Sequence, residues 1–204
     1  MCRMPNDLTR RGLIATALAA AATAVLPRPV MALTDAQART LVDKVVHDIN
    51  AVINSGKPLS GMIKDFERIF TRYADVDIIA RSTLGPASRY ASPAQMRAFT
   101  EAFRGYIARK YGKRFQEFIG GRIEVKGVKR VKSWHEVIST AYLRGQSPFE
   151  VRFLVSDRSG KDLFFDMVIE GISLRLTERT EIGSMLDKHR GNIDLLILYL
   201  RHAG

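Results

Sequence analysis

Lys161-Asp162-Leu163-Phe164-Phe165-Asp166-Met167-Val168-Ile169-Glu170-Gly171-Ile172-Ser173-Leu174 reads as a strand with an irregularity built into it. Leu163, Phe165, Met167 and Ile169 recur at every second position and so share one face of a sheet, while Asp166 and Glu170 fall on the other. The bulky set predicts a wall of the core. Gly171 interrupts the run, and a glycine inside a strand pattern marks a bulge or a close approach of another backbone.

Three stretches of the same character precede it, at 122–131, 136–143 and 149–156, each rich in β-branched or aromatic residues. They are separated by Ser133-Trp134, by Gly145-Gln146-Ser147-Pro148 and by Asp157-Arg158-Ser159-Gly160, the last a hairpin turn. Such short connections favour antiparallel neighbours and predict a four-stranded meander. Upstream, the pattern has a helical period. Leu41, Val45, Val46, Ile49, Val52 and Ile53 form one stripe, with Thr34 placed as its N-cap. Met62, Ile63, Phe66, Ile69 and Phe70 form a second, and Asp75 or Asp77 caps a short third helix ending at Leu84-Gly85-Pro86.

Ser92-Pro93-Ala94-Gln95 combines a capping Ser, a Pro at the first helical position and a Gln three residues after the Ser, so a long helix starts there. Met96, Phe99, Phe103, Tyr106, Ile107 and Tyr111 are its apolar stripe, and Gly120-Gly121 is its latest stop. After Gly171, the segments 178–188 and 192–201 read as two closing helices. Helices, then a sheet, then helices define an α+β domain.

Residues 1–32 read as an address. Arg10-Arg11 precede an uncharged Ala/Leu-rich run of 14 residues, 13–26, too short to span a bilayer, which needs about 20. Pro27 and Pro29 break that run, and Val30-Met31-Ala32 suits a signal peptidase, so a twin-arginine signal peptide is expected at 1–32 and a single domain at 33–204. Cleavage there removes Cys2, the one cysteine, leaving a chain suited to an oxidising periplasm but without a disulfide. The remainder keeps a formal charge of +8, from 28 basic and 20 acidic residues. For an exported protein that excess points to anionic headgroups or acidic partner surfaces rather than to nucleic acid.

Catalytic patterns are lacking. His47, His135, His189 and His202 are scattered without metal-ligand spacing, and neither a nucleophile elbow nor a glycine-rich phosphate loop occurs. Neither a cofactor nor a metal is expected. The apolar positions Phe99, Phe103, Tyr106 and Ile107 of the long helix and Val151, Phe153, Val155, Phe165, Met167 and Ile169 of the strands either pack into a plain core or wall an apolar pocket.

The set Phe66, Ile69-Phe70, Tyr73-Ala74-Asp75-Val76-Asp77-Ile78-Ile79-Ala80, Leu84-Gly85 and Ser92-Pro93 with Gln95, Phe99 and Phe103 resembles the MlaC family of periplasmic phospholipid-binding proteins, also called toluene-tolerance proteins. Asp166 to Leu174 is similar to that family's most distinctive motif, and Gly191-Asn192-Ile193-Asp194-Leu195-Leu196 resembles its last helix.

The resemblance implies an α+β fold around a deep apolar pocket that takes the acyl chains of a phospholipid. It also implies a shuttle between an outer-membrane lipoprotein–porin complex and an inner-membrane ABC transporter complex. Asp162 and Phe164-Phe165 stand where the family usually has a Trp before the motif's Asp, and Thr177-Glu178-Arg179 where Asn-Tyr-Arg often follows. Those departures leave the ligand open between a phospholipid and a hopanoid or other polycyclic lipid.

The expected function is therefore a monomeric, non-enzymatic periplasmic lipid carrier. Arg81, Arg89, Arg104 and Arg109 are the candidates for holding a headgroup or steering docking. Two readings of other classes compete with it: a cone-fold hydrolase or isomerase, which needs converging acid and base groups, and an interaction module with a solid core.

Overall fold

The computed structural model describes residues 32–204, and all of the expected signal peptide but Ala32 falls outside the described residues. Six α-helices and five strands follow one another as α1 (Asp35–Ile53), α2 (Leu59–Tyr73), α3 (Val76–Leu84), α4 (Pro93–Gly112), β1 (Arg122–Val131), β2 (Trp134–Tyr142), β3 (Phe149–Ser156), β4 (Leu163–Ile169), β5 (Ile172–Ser173), α5 (Leu174–Lys188) and α6 (Ile193–Leu200). Short 3-10 turns, Gly85–Arg89 and Lys113–Phe118, extend α3 and α4. The architecture is α+β, as the sequence pattern predicts.

Helix starts follow the capping chemistry. Thr34 and Ser92 each close a capping box with the glutamine three residues on, satisfying two otherwise orphaned N–H groups at each helix start. Asp75 accepts from Ile78 N to start α3, and Asn192 accepts from Leu195 N to start α6. Helix α5 begins at Leu174, four residues before the expected 178, because Ser173 is its N-cap and accepts from Leu176 N.

The sheet is antiparallel in the order β1-β2-β3-β4-β5, so it has five strands rather than four. The fifth arises at Gly171. Glu170 (φ 48°) and Gly171 (φ 84°) are both left-handed, the requirement of a tight two-residue hairpin turn, and Ile169 pairs with Ile172 across it. Gly171 is therefore a turn residue rather than the expected strand bulge, and a Cβ there would meet nothing within 4 Å, so its need is conformational, not spatial. The bulge of β4 lies earlier. Leu154 pairs with Asp166 and Val155 with Phe164, leaving Phe165 without a cross-strand partner.

That bulge changes the face assignment. Val151, Phe153 and Val155 on β3 oppose Ile169, Met167 and Phe164 on β4, so Phe164 replaces Phe165 in the row with Met167 and Ile169. Phe164 meets Phe153 edge-on at 5.7 Å. Asp166 and Val168 are buried on the alternate positions, which a two-residue period alone assigns to solvent. Asp166 is covered because it serves α5, accepting from Ser173 Oγ (2.6 Å) and Arg175 N (3.0 Å).

Helix α1 covers the face made by His135, Val137, Ser139 and Ala141 of β2. Asn50 exchanges two hydrogen bonds with the Ile123 backbone (2.9 and 3.0 Å), and Asp35 lies 3.0 Å from His135 Nε2. One outer edge of the sheet is β1, broken by a bulge at Lys126 and studded with exposed Lys129 and Arg130. Near the other edge, Asp75 N donates to Phe164 O (2.8 Å) and the two-residue β5 closes the end of β4.

Candidate functional site

A cavity of about 370 Å³ lies between the helices and the inner face of the sheet. Every layer contributes apolar side chains to it: Val45, Ile49 and Ile53 from α1, Phe66, Ile69 and Phe70 from α2, Phe103 and Ile107 from α4, and Phe115 and Phe118 from the 3-10 turn. The sheet adds Ile123, Ala141, Val151, Phe153, Phe164, Met167 and Ile169. These residues share the inner face, at every second position along their strands except across the β4 bulge between Phe164 and Met167.

The mouth follows from exposure. Arg114, Glu117, Gln146 and Glu170 line the cavity and are exposed, and they come from the 3-10 turn, the β2–β3 loop and the β4–β5 turn. The strand register places the start of β1, the β2–β3 loop and the end of β4 at the same end of the sheet. The cavity opens at that end. Met167 and Ile169 are only half-buried although they face inward, which is what a cavity wall looks like when no side chain covers it.

Of the expected pocket residues, Phe103, Ile107, Val151, Phe153, Phe165, Met167 and Ile169 line the cavity. Phe99, Tyr106 and Val155 are buried but lie outside its lining. Phe99 stacks on Phe103 (5.9 Å between centroids), Tyr106 turns its hydroxyl to Glu181 (3.1 Å), and Val155 pairs with His135 beyond the cavity.

None of the four expected arginines lines it either. Arg81 and Arg89 are exposed on α3 and its 3-10 extension, Arg104 pairs with Glu67 (3.2 Å), and Arg109 donates to Leu200 O and Ala203 O, holding the C-terminal segment. Neighbourhood in sequence is a poor guide here, since successive residues of α4 point to different sides of the helix. The cations that do line the cavity are Arg114 and Arg175.

Arg175 is held at the wall. Its Nη1 donates to Ser82 Oγ (2.6 Å), its Nε lies 3.5 Å from Asp166, and its guanidinium sits 6.0 Å from the Phe165 ring centre. Behind it, α4 and α5 are clamped by a polar cluster. Lys110 Nζ donates to Glu178 Oε1 and Glu181 Oε2 (2.6 Å each), and Tyr111 Oη donates to Glu178 Oε1 (2.6 Å). Burial pulls the Lys110 ammonium down, but the two carboxylates outweigh it and leave its pKa above the ordinary lysine value. Burial, reinforced by the same carboxylates, raises the Tyr106 and Tyr111 phenols. The cluster joins the two helices through Glu178 Oε1 and Glu181 Oε2, while Glu178 Oε2 is buried without a hydrogen-bond partner.

The cavity can hold apolar matter, and its polar side chains sit at the mouth or are tied to one another, with Glu178 Oε2 the buried oxygen left unpartnered among them. The described residues contain no group of three or more His, Cys, Asp or Glu arranged to hold a metal ion. Sequence reasoning missed the contributions of α1, α2 and the 3-10 turn, together with Phe164, Arg114, Arg175 and Glu178. Their apolar stripes are visible in sequence, but a stripe looks the same whether it meets a neighbour or a void.

A helical layer thus lies over an antiparallel sheet, with an apolar cavity between them that opens at one sheet end, in an α+β domain. Residues 39–202 match the MlaC protein family, and the chain belongs to that family. The fold is also similar to the phospholipid-binding protein from Ralstonia solanacearum, whose structure was solved in complex with a phospholipid. The TM-score is 0.68 at 20% identity, over 80% of this chain and 94% of that one.

Proposed function

We propose that residues 33–204 form a non-enzymatic periplasmic carrier that shelters the acyl chains of a phospholipid and moves it between the outer and inner membranes. The observation that carries this reading is the apolar cavity with its single-ended mouth. Its volume falls in the range of roughly 300–1,000 Å³ typical of small-molecule sites. Without an occupant, the apolar lining of such an open cavity faces water or empty space, and either costs stability. An occupant removes that cost. Each acyl methylene moved out of water contributes about 0.8 kcal/mol, so binding needs no strong polar contact.

The headgroup stays at the mouth, where Arg114 and, at the wall, Arg175 supply positive charge. Membership of the MlaC family and the phospholipid bound to the Ralstonia protein support the ligand class. Family membership likewise supports export through a signal peptide at 1–32. The same membership supports donor and acceptor partners at an outer-membrane lipoprotein–porin complex and an inner-membrane ABC transporter complex. Among the described residues no helix is long and apolar enough to cross a membrane.

Native mass spectrometry of protein purified without added lipid tests the reading. Extractable phospholipid is expected, and Met167→Asp, which puts a charge on the cavity wall, should remove it while the circular dichroism spectrum is retained. A polycyclic lipid in place of phospholipid would correct the ligand. A spectrum free of bound lipid at full refolded stability would overturn the carrier reading itself.

A further inference from the structure

A second concavity, of about 430 Å³, lies on the outer side of α2 and α4, and it is lined by Lys64, Glu67, Arg68, Thr71, Arg72 and Arg104. Four of these six residues are cations and one is a carboxylate. Lys64, Arg68 and Arg72 are exposed and recur at every fourth residue, which sets them in a row along α2, about 6 Å apart by helical rise. Arg104 faces them from α4, where it holds Glu67 (3.2 Å), and Arg68 reaches Asp65 (3.0 Å). Among the described residues Lys64 and Arg72 make no ion pair, so the row keeps uncompensated charge.

None of the six residues lines the apolar cavity, whereas Phe66, Ile69 and Phe70 on the inner side of the same helix do. The groove is thus a separate surface on the back of a cavity wall. The surface is shallow, and its cations stand in a line at about one per helical turn, a register that an acidic helix can match residue for residue and that lipid headgroups do not carry.

We propose that this groove docks an acidic protein segment, best fitted by a helix carrying carboxylates at every fourth residue in register with Lys64, Arg68 and Arg72. A segment seated there rests on α2 and so on the outer side of the lipid-cavity wall, the position from which a protein partner can sense loading. Charge complementarity of this kind acts mainly on association rate and specificity, and it weakens with salt.

The test titrates the full mature chain with a fluorescent helical peptide bearing three glutamates at positions 1, 5 and 9, against a peptide with glutamines there. Wild type should bind the glutamate peptide in preference to the glutamine one, with affinity falling as salt rises. Lys64→Glu with Arg72→Glu should weaken binding about tenfold or more, the scale of two lost charge pairs at an interface. Melting temperature should stay unchanged, because both side chains are exposed.

Equal binding by wild type and the double variant would overturn the proposal, as would failure of the wild type to bind. Groove-dependent binding of phosphatidylglycerol vesicles without peptide binding would assign the surface to a membrane instead. No lipid enters the peptide titration, so its failure leaves the carrier reading standing.

Discussion

Val151→Phe separates a true cavity from a solid core, because the two give stability changes of opposite sign. Val151 is 4% exposed on β3, pairs with Ser139 and Ile169, and points into the cavity. Phenylalanine suits a strand, so the backbone tolerates it. In a packed core the extra atoms would force neighbours aside at a cost of about 1–3 kcal/mol. Against a void they fill space, and at about 24 cal/mol per Å³ each 50 Å³ filled recovers roughly 1.2 kcal/mol.

For a domain of this length that gain raises the melting temperature by about 2–4 °C. Delipidated protein is the species to measure, by thermal and urea unfolding, with lipid load read in parallel by mass spectrometry. Stability should rise and lipid load should fall together. A variant that melts lower than wild type would refute the cavity, and one that melts higher but carries its full lipid load would place the lipid elsewhere.

Asp166→Ala should destabilise by about 3 kcal/mol in urea unfolding, since it strips Ser173 Oγ and Arg175 N of an acceptor and leaves Arg175 beside no carboxylate. Glu170→Asn should stabilise the β4–β5 hairpin by a few tenths of a kcal/mol, because the asparagine tolerates the left-handed φ that glutamate adopts there. The α4–α5 clamp sets an alkaline limit. Lys110, Tyr106 and Tyr111 all have raised folded-state pKa values, so their contribution is complete below the ordinary tyrosine value of about 10 and is lost as pH climbs through the folded values. Urea midpoints should fall above about pH 10, and Tyr111→Phe should make that fall shallower.

Much of the fold is legible because its signals are local. The capping boxes at Thr34 and Ser92 and the hairpin turns lie within a few residues of the elements they start or stop. The sheet's fifth strand and the inner face of β4 are not, since a two-residue period holds only while pairing is regular. At the bulge β4 pairs with β3 and also accepts, at Phe164 O, from the distant Asp75 N, a long-range contact that no local pattern reveals. The pocket list divides in the same way. Phe103 and Ile107 line the cavity while Phe99 and Tyr106, on the same apolar stripe, pack elsewhere, and only the third dimension separates them. The arginines are the hardest to place, because Arg104 and Arg109 are spent on Glu67 and on the C-terminal carbonyls.

The long outer strand β1 has a further consequence. Apart from Ile123, whose N–H and C=O are engaged by Asn50, the outer edge of this ten-residue strand is a template on which another extended chain could pair. Here the bulge at Lys126 breaks the ladder in mid-strand, and Lys126, Lys129 and Arg130 would confront an incoming copy with like charge. Self-recruitment into fibrils is thereby opposed at the rim of the sheet.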